Sequence, residues 1–106
     1  MRHLGVLRGN GVLERQGEAL GEARYEFDGY LVKQGEIVGS GEVHMDAAIL
    51  ADAFGRNDLT LRTEDGRVLS LRFSGKMPSP GKTVAHADVR DGLPPEKEWR
   101  RSRRQG

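Results

Sequence analysis

The chain of 106 residues contains no cysteine and carries a formal net charge of +1. This length is that of one small domain with a modest core. The absence of cysteine excludes disulfides, thiol nucleophiles, iron–sulfur clusters and cysteine-based zinc sites. No apolar segment is long enough for a signal peptide or a membrane span, so we expect a cytoplasmic protein that does not contact a membrane.

Charge is unevenly distributed along the chain. Residues 94–106 hold five basic and two acidic side chains, a net charge of +3, which leaves −2 for residues 1–93. The two prolines at positions 94 and 95 mark the boundary. We therefore predict one compact β domain over residues 1–93 and a basic, flexible tail over residues 94–106.

A glycine pattern occurs twice. Gly9-Asn10-Gly11 returns as Gly39-Ser40-Gly41, and an Asp-Gly pair follows each copy, at positions 28–29 and 65–66. Self-similarity in a fixed order favours a duplicated β unit. A chain with 15 glycines also produces such triplets by chance, so duplication and coincidence both stay open.

Neither glycine triplet fits a phosphate-binding loop. A dinucleotide fingerprint needs a third glycine and a following helix, but the third positions are Glu14 and His44. Gly81-Lys82-Thr83 resembles the end of a P-loop, yet the upstream glycine is misplaced and residues 84–89 alternate as a strand. Bends in twisted strands explain these glycines better.

Alternation of apolar and polar residues predicts strands over residues 24–32, 37–45 and 83–90. A hairpin is predicted from residue 58 to residue 74, turning at Glu64-Asp65-Gly66. Two prolines and two flanking glycines make residues 75–81 a loop.

The only alanine-rich run predicts one short helix. Asp46 is placed as its N-cap and Gly55 as its C-terminal stop. At helical spacing Ile49, Leu50, Ala53 and Phe54 share one face, which would pack on the β framework.

These elements predict an all-β fold. Six to seven short strands with frequent glycine turns and one short helix read as a small antiparallel barrel or sandwich. A closed barrel is favoured over an open sheet because closure removes exposed edges. If the duplication is real, the two halves would be related by a pseudo-two-fold axis.

Two His-x-Asp triplets are the best candidates for a metal site. Alternation along a strand places His44 with Asp46, and His86 with Asp88, on the same side. Two such pairs on neighbouring strands would suit a divalent metal. The competing interpretation is that both triplets lie on the outer surface and that Asp46 caps the helix.

The basic tail predicts contact with nucleic acid. Its arginines would contact phosphates and its tryptophan would stack on a base; the residues are Trp99, Arg100, Arg101, Arg103 and Arg104. A charged, solubilising tail is the competing interpretation. Tyr25 and Phe27 resemble a stacking platform, but core packing is the favoured use.

Three hypotheses for function follow. The leading one is a non-catalytic binding or assembly module that self-associates or holds a protein partner. The second is a nucleic-acid-associated accessory protein, and the third is a metal-binding protein or metal-dependent enzyme. No serine stands in a recognisable nucleophile elbow, so catalysis is the minority view and no cofactor is expected.

Overall fold

The computed structural model describes residues 1–33 and 35–99. The elements are β1 (Arg2–Arg15), β2 (Glu18–Lys33), β3 (Glu36–Met45), α1 (Ala47–Ala53), β4 (Leu59–Thr63), β5 (Val68–Phe73) and β6 (Val84–Asp91). All six strands pair antiparallel and close into a barrel in the order β1-β2-β3-β6-β5-β4. The predicted small all-β barrel with one short helix is confirmed.

The core of the barrel is formed by the side chains that point inward from the strands. Its fully buried side chains come from all six strands and include Leu13, Phe27, Val43, Leu61, Leu69 and Ala87. Tyr25 stacks on Phe27 inside the barrel, with ring centroids 5.5 Å apart. The favoured use of these two aromatic rings, core packing, is therefore confirmed.

Helix α1 closes one end of the barrel. The Asp46 carboxylate accepts hydrogen bonds from the backbone N–H of Ala48 at 3.1 Å and of Ile49 at 3.2 Å. Leu50 is buried on the core side of the helix. Gly55 follows with φ +92°, a left-handed conformation that glycine adopts without strain. The predicted N-cap and stop are both confirmed.

At the other end, β1, β2 and β3 project beyond the rest of the barrel. β1 pairs with β2 from Arg2 to Arg15, but with β4 only from Gly11 to Arg15. The inner surface of the projection is covered by residues 93–99, here called the C-terminal strap. This strap holds Trp99, which is 1% exposed, so packing continues past residue 93, where the sequence places the end of the compact domain.

The repeated glycine triplets serve the architecture. A Cβ at Gly11 would collide with the Arg62 carbonyl of β4, and one at Gly41 with the Glu26 carbonyl of β2, so both positions allow neighbouring strands to approach closely. The two Asp-Gly pairs are not equivalent, because residues 28–29 lie inside β2 whereas residues 65–66 form the β4–β5 turn. In the ring order, β1-β2-β3 is followed by β6-β5-β4, so each half of the barrel is built from three consecutive strands.

Candidate functional site

A polar cleft runs across the outer face of β1, β2 and β3. It consists of two adjoining depressions of about 550 and 380 Å³ that share Asn10, Arg24 and His44. The strand register places these three residues side by side, with Arg24 opposite Asn10 on one flank and opposite His44 on the other. The charged side chains that line the cleft are Arg8, Glu22, Arg24, Glu26, Glu42 and Glu64.

His44 links Arg24 to Glu42. Nη2 of Arg24 lies 3.4 Å from Nδ1 of His44, and Nε2 of His44 lies 3.3 Å from a Glu42 carboxylate oxygen. A guanidinium only donates hydrogen bonds, so Nδ1 of His44 accepts here. In the tautomer that accepts from Arg24, the imidazole carries its proton on Nε2, which faces Glu42.

The two arginines of the cleft, Arg24 and Arg8, differ in the partners of their side chains. Arg8 pairs with Glu26 at 3.0 Å. Within residues 1–33 and 35–99, Arg24 forms no ion pair, and the hydrogen-bond partner of its side chain is His44. Its full positive charge is thus available to a ligand in the cleft.

Of the four residues of the predicted metal site, the structure brings together only His86 and Asp88, whose Nε2 and Oδ1 atoms lie 3.7 Å apart. His44 and His86 lie on the outer faces of adjacent strands, but His86 is opposite Glu42 and Asp88 is opposite Ser40. The Asp46 carboxylate is engaged by the first turn of α1. No group of three or more potential metal ligands occurs among the described residues. The competing interpretation, that Asp46 caps the helix and the histidines lie on the surface, matches this placement.

Of the residues of the predicted nucleic-acid site, the structure describes Trp99 and not the arginines that follow it. The indole Nε1 donates to the Pro94 carbonyl at 2.8 Å and the ring is buried against β2, whereas the sequence predicts that it stacks on a base. A packed ring presents no face to a base. Arg100, Arg101, Arg103 and Arg104 lie outside the described residues, so their contact with phosphates stays a prediction.

A polar network at the β4–β5 turn was not predicted from the sequence. The Thr63 hydroxyl donates to the Asp65 carboxylate and accepts from the Arg67 backbone N–H at 2.9 Å. That hydroxyl hydrogen bond lowers the pKa of Asp65, and the Arg67 charge lowers it further. Burial raises the pKa of the nearby Tyr25 phenol, as does the Asp65 carboxylate. Thr63, Asp65 and Arg67 are close in the sequence, whereas Tyr25, on β2, reaches them only through the fold.

A third depression, of about 440 Å³, lies between α1 and the β5–β6 loop. Its lining is largely apolar, from Ala48, Leu50, Met77 and Pro78. It contains one charged side chain, Lys82, and no carboxylate. This groove offers no polar group arrangement that would orient a ligand, so the polar cleft is the better candidate site.

The cleft presents charged side chains on the outer face of three paired strands. No helix among the described residues is long and apolar enough to cross a membrane. The chain matches no protein-family model, no curated protein and no solved structure, so its function has to be argued from the cleft itself.

Proposed function

We propose that the protein is a non-catalytic binding module that holds a protein partner in the polar cleft. The observation that supports this function is the state of Arg24, a guanidinium fixed between Asn10 and His44 without a carboxylate of its own. An acidic side chain of a partner would pair with Arg24 in a bidentate geometry. His44 positions the guanidinium for this contact.

The charge of the cleft favours a protein over a nucleic acid. Two guanidinium groups face four carboxylates, those of Glu22, Glu26, Glu42 and Glu64. This excess of negative charge repels a phosphate backbone, whose binding depends on neutralisation by basic side chains. A protein surface carries both signs of charge and can present a basic group to Glu64 while an acidic group pairs with Arg24.

The lining of the cleft supports binding rather than covalent catalysis. It contains no serine, threonine, cysteine or lysine side chain to serve as a nucleophile. Both ring nitrogens of its single histidine, His44, face protein groups. The side chains of the cleft are therefore arranged for electrostatic recognition.

The test is a comparison of tagged variants expressed in the native cell. Arg24→Gln removes the cleft cation and keeps a side chain of similar length. The matched control is Arg72→Gln, which removes an exposed arginine from the outer face of β5. Nuclease-treated eluates are analysed by quantitative mass spectrometry, and we expect a protein that the wild type and Arg72→Gln both retain to be lost from Arg24→Gln.

Equal recovery of every bound protein with both variants would contradict the proposal. Loss of all bound material on nuclease treatment would instead favour the second hypothesis, in which the basic tail binds nucleic acid. That hypothesis rests on the charge of residues 100–106 and is tested separately by truncation.

A further inference from the structure

The projecting half of β1 has no strand paired with its outer edge among residues 1–33 and 35–99. Pairing with β4 ends at Gly11, and beyond it the Glu64 backbone N–H still donates to the Asn10 carbonyl at 3.1 Å. From Asn10 back to Gly5, β1 is paired only with β2 among the described residues. An uncovered edge presents unpaired backbone groups that template a further strand.

The hydrogen-bond pattern of β1 identifies the backbone groups that point away from β2. In an antiparallel pair, the N–H and C=O of one residue point to the same side, and the side alternates along the strand. Because the Asn10 carbonyl points away from β2, the N–H and C=O of Arg8 and Val6 do so as well. A register shift between His3 and Gly5 ends this alternation, so the free edge has two usable residues.

We propose that this edge pairs with the same edge of a second copy, forming a two-fold symmetric dimer through β1. The axis passes through Leu7, so that Val6 of each copy is opposite Arg8 of the other. Each such pair exchanges two backbone hydrogen bonds, and the symmetry doubles them. The two three-stranded projections then form one continuous antiparallel sheet.

The second copy is favoured because this register is self-complementary. Leu7 faces inward and packs against the core, so the two Leu7 side chains meet at the axis as an apolar pair. Gly5 is opposite Gly9, which leaves the flanks free of side-chain collision. A register centred on Arg8 would instead set two arginines opposite each other and require the Asn10 carbonyl that Glu64 already occupies.

The dimer brings two polar clefts to the same face of one sheet. Arg8 lines the cleft at its β1 margin, so the two clefts would lie on either side of the axis. A partner with two acidic segments would then gain from simultaneous binding. Pairing through β1 does not depend on the cleft having a partner, and Val6, which is not among the cleft residues, tests it alone.

The experiment is sedimentation equilibrium of the purified full chain over a wide range of concentration. Val6→Lys places a lysine opposite Arg8 of the second copy, and Val6→Glu places a carboxylate there. A like-charge cross-strand pair, occurring twice by symmetry, should raise the dimer Kd by about tenfold, and the opposite-charge pair should lower it. The control is Val68→Lys, which changes an exposed valine on β5 and should leave the Kd unchanged.

A third variant tests the backbone itself. Val6→Pro removes an N–H that has no acceptor in the described part of the monomer, so the monomer should keep its thermal unfolding temperature while the dimer is lost. A wild type that stays monomeric at every concentration would overturn the proposal. So would a dimer whose Kd ignores Val6→Lys, Val6→Glu and Val6→Pro, or one abolished only by deleting residues 100–106.

Discussion

The Trp99 indole lies directly against Gly29 of β2. A Cβ built on Gly29 would lie 2.6 Å from two carbon atoms of the six-membered ring, closer than such atoms approach. The ring is anchored at its other side by the hydrogen bond from Nε1 to the Pro94 carbonyl. Glycine at position 29 and tryptophan at position 99 are thus two halves of one packing arrangement, which fixes the strap to the projecting sheet.

Gly29→Ala should therefore destabilise the protein. A rigid, buried aromatic ring cannot yield a methyl-sized space, so we expect a loss of about 1–3 kcal/mol in the free energy of unfolding. Trp99→Ala should cost about 3–5 kcal/mol by removing the ring. In a Trp99→Ala background the Gly29→Ala change should be nearly neutral, and urea unfolding of the four proteins measures this coupling. Additive costs would contradict the packing described.

Truncation separates the strap from the basic tail. Two ion pairs hold the strap to the barrel, Arg2 with Glu96 and Arg67 with Glu98, in addition to the buried Trp99. Deleting residues 94–106 should lower the thermal unfolding temperature because the inner surface of the projection becomes exposed. Deleting residues 100–106 preserves every described contact of the strap.

The shorter deletion is therefore the correct test of nucleic-acid binding. If the tail arginines bind phosphates, the wild type should bind a fluorescent oligonucleotide with an affinity that falls steeply with salt, and the protein lacking residues 100–106 should not. Binding that survives this deletion would reject the tail hypothesis. A loss of binding seen only with the longer deletion would report damage to the fold.

Local signals in the sequence were sufficient to predict the elements whose ends carry residues typical of helix caps and turns. Asp46 and Gly55 mark the two ends of the helix: the Asp46 side chain accepts hydrogen bonds from the first turn, and Gly55, which has no side chain, adopts the left-handed conformation that follows the last turn. Asp65-Gly66 marks the β4–β5 turn. The β1–β2 hairpin was missed, because its turn is Gln16-Gly17. Both residues are left-handed there, with φ 53° and 85°, and glutamine is not a residue that predicts this turn type.

The candidate site could not be predicted, because it depends on strand register. Arg24 and His44 are twenty positions apart and become neighbours only when β2 pairs with β3. The packing of Trp99 could not be predicted for a related reason. Its neighbours in the sequence are arginines, which favours base stacking, whereas its neighbours in space are Gly29 and Pro94.

The helix cap predicts a second stability difference. Asp46→Ala leaves the N–H groups of Ala48 and Ile49 without their acceptor, and we expect a loss of about 1 kcal/mol in the free energy of unfolding. Asp52→Ala is the matched control on the same helix. It removes only an exposed contact with Arg56 at 3.7 Å, so its cost should be below about 0.5 kcal/mol. Equal losses would contradict the capping role of Asp46.

The Thr63–Asp65 hydrogen bond should make stability depend on pH. It holds the pKa of Asp65 below its usual value of about 4, so its contribution to stability is present above that value and is lost as the pH falls through the lowered pKa of the folded state. Thr63→Val keeps the side-chain shape and removes the hydroxyl, whereas Thr63→Ser keeps the hydroxyl. Thr63→Val should lose about 1–2 kcal/mol at neutral pH because the Arg67 N–H and Asp65 lose a partner. Urea unfolding at pH 7 and pH 3 should show a smaller difference between the two pH values for Thr63→Val than for Thr63→Ser, and an equal difference would locate the acid sensitivity elsewhere.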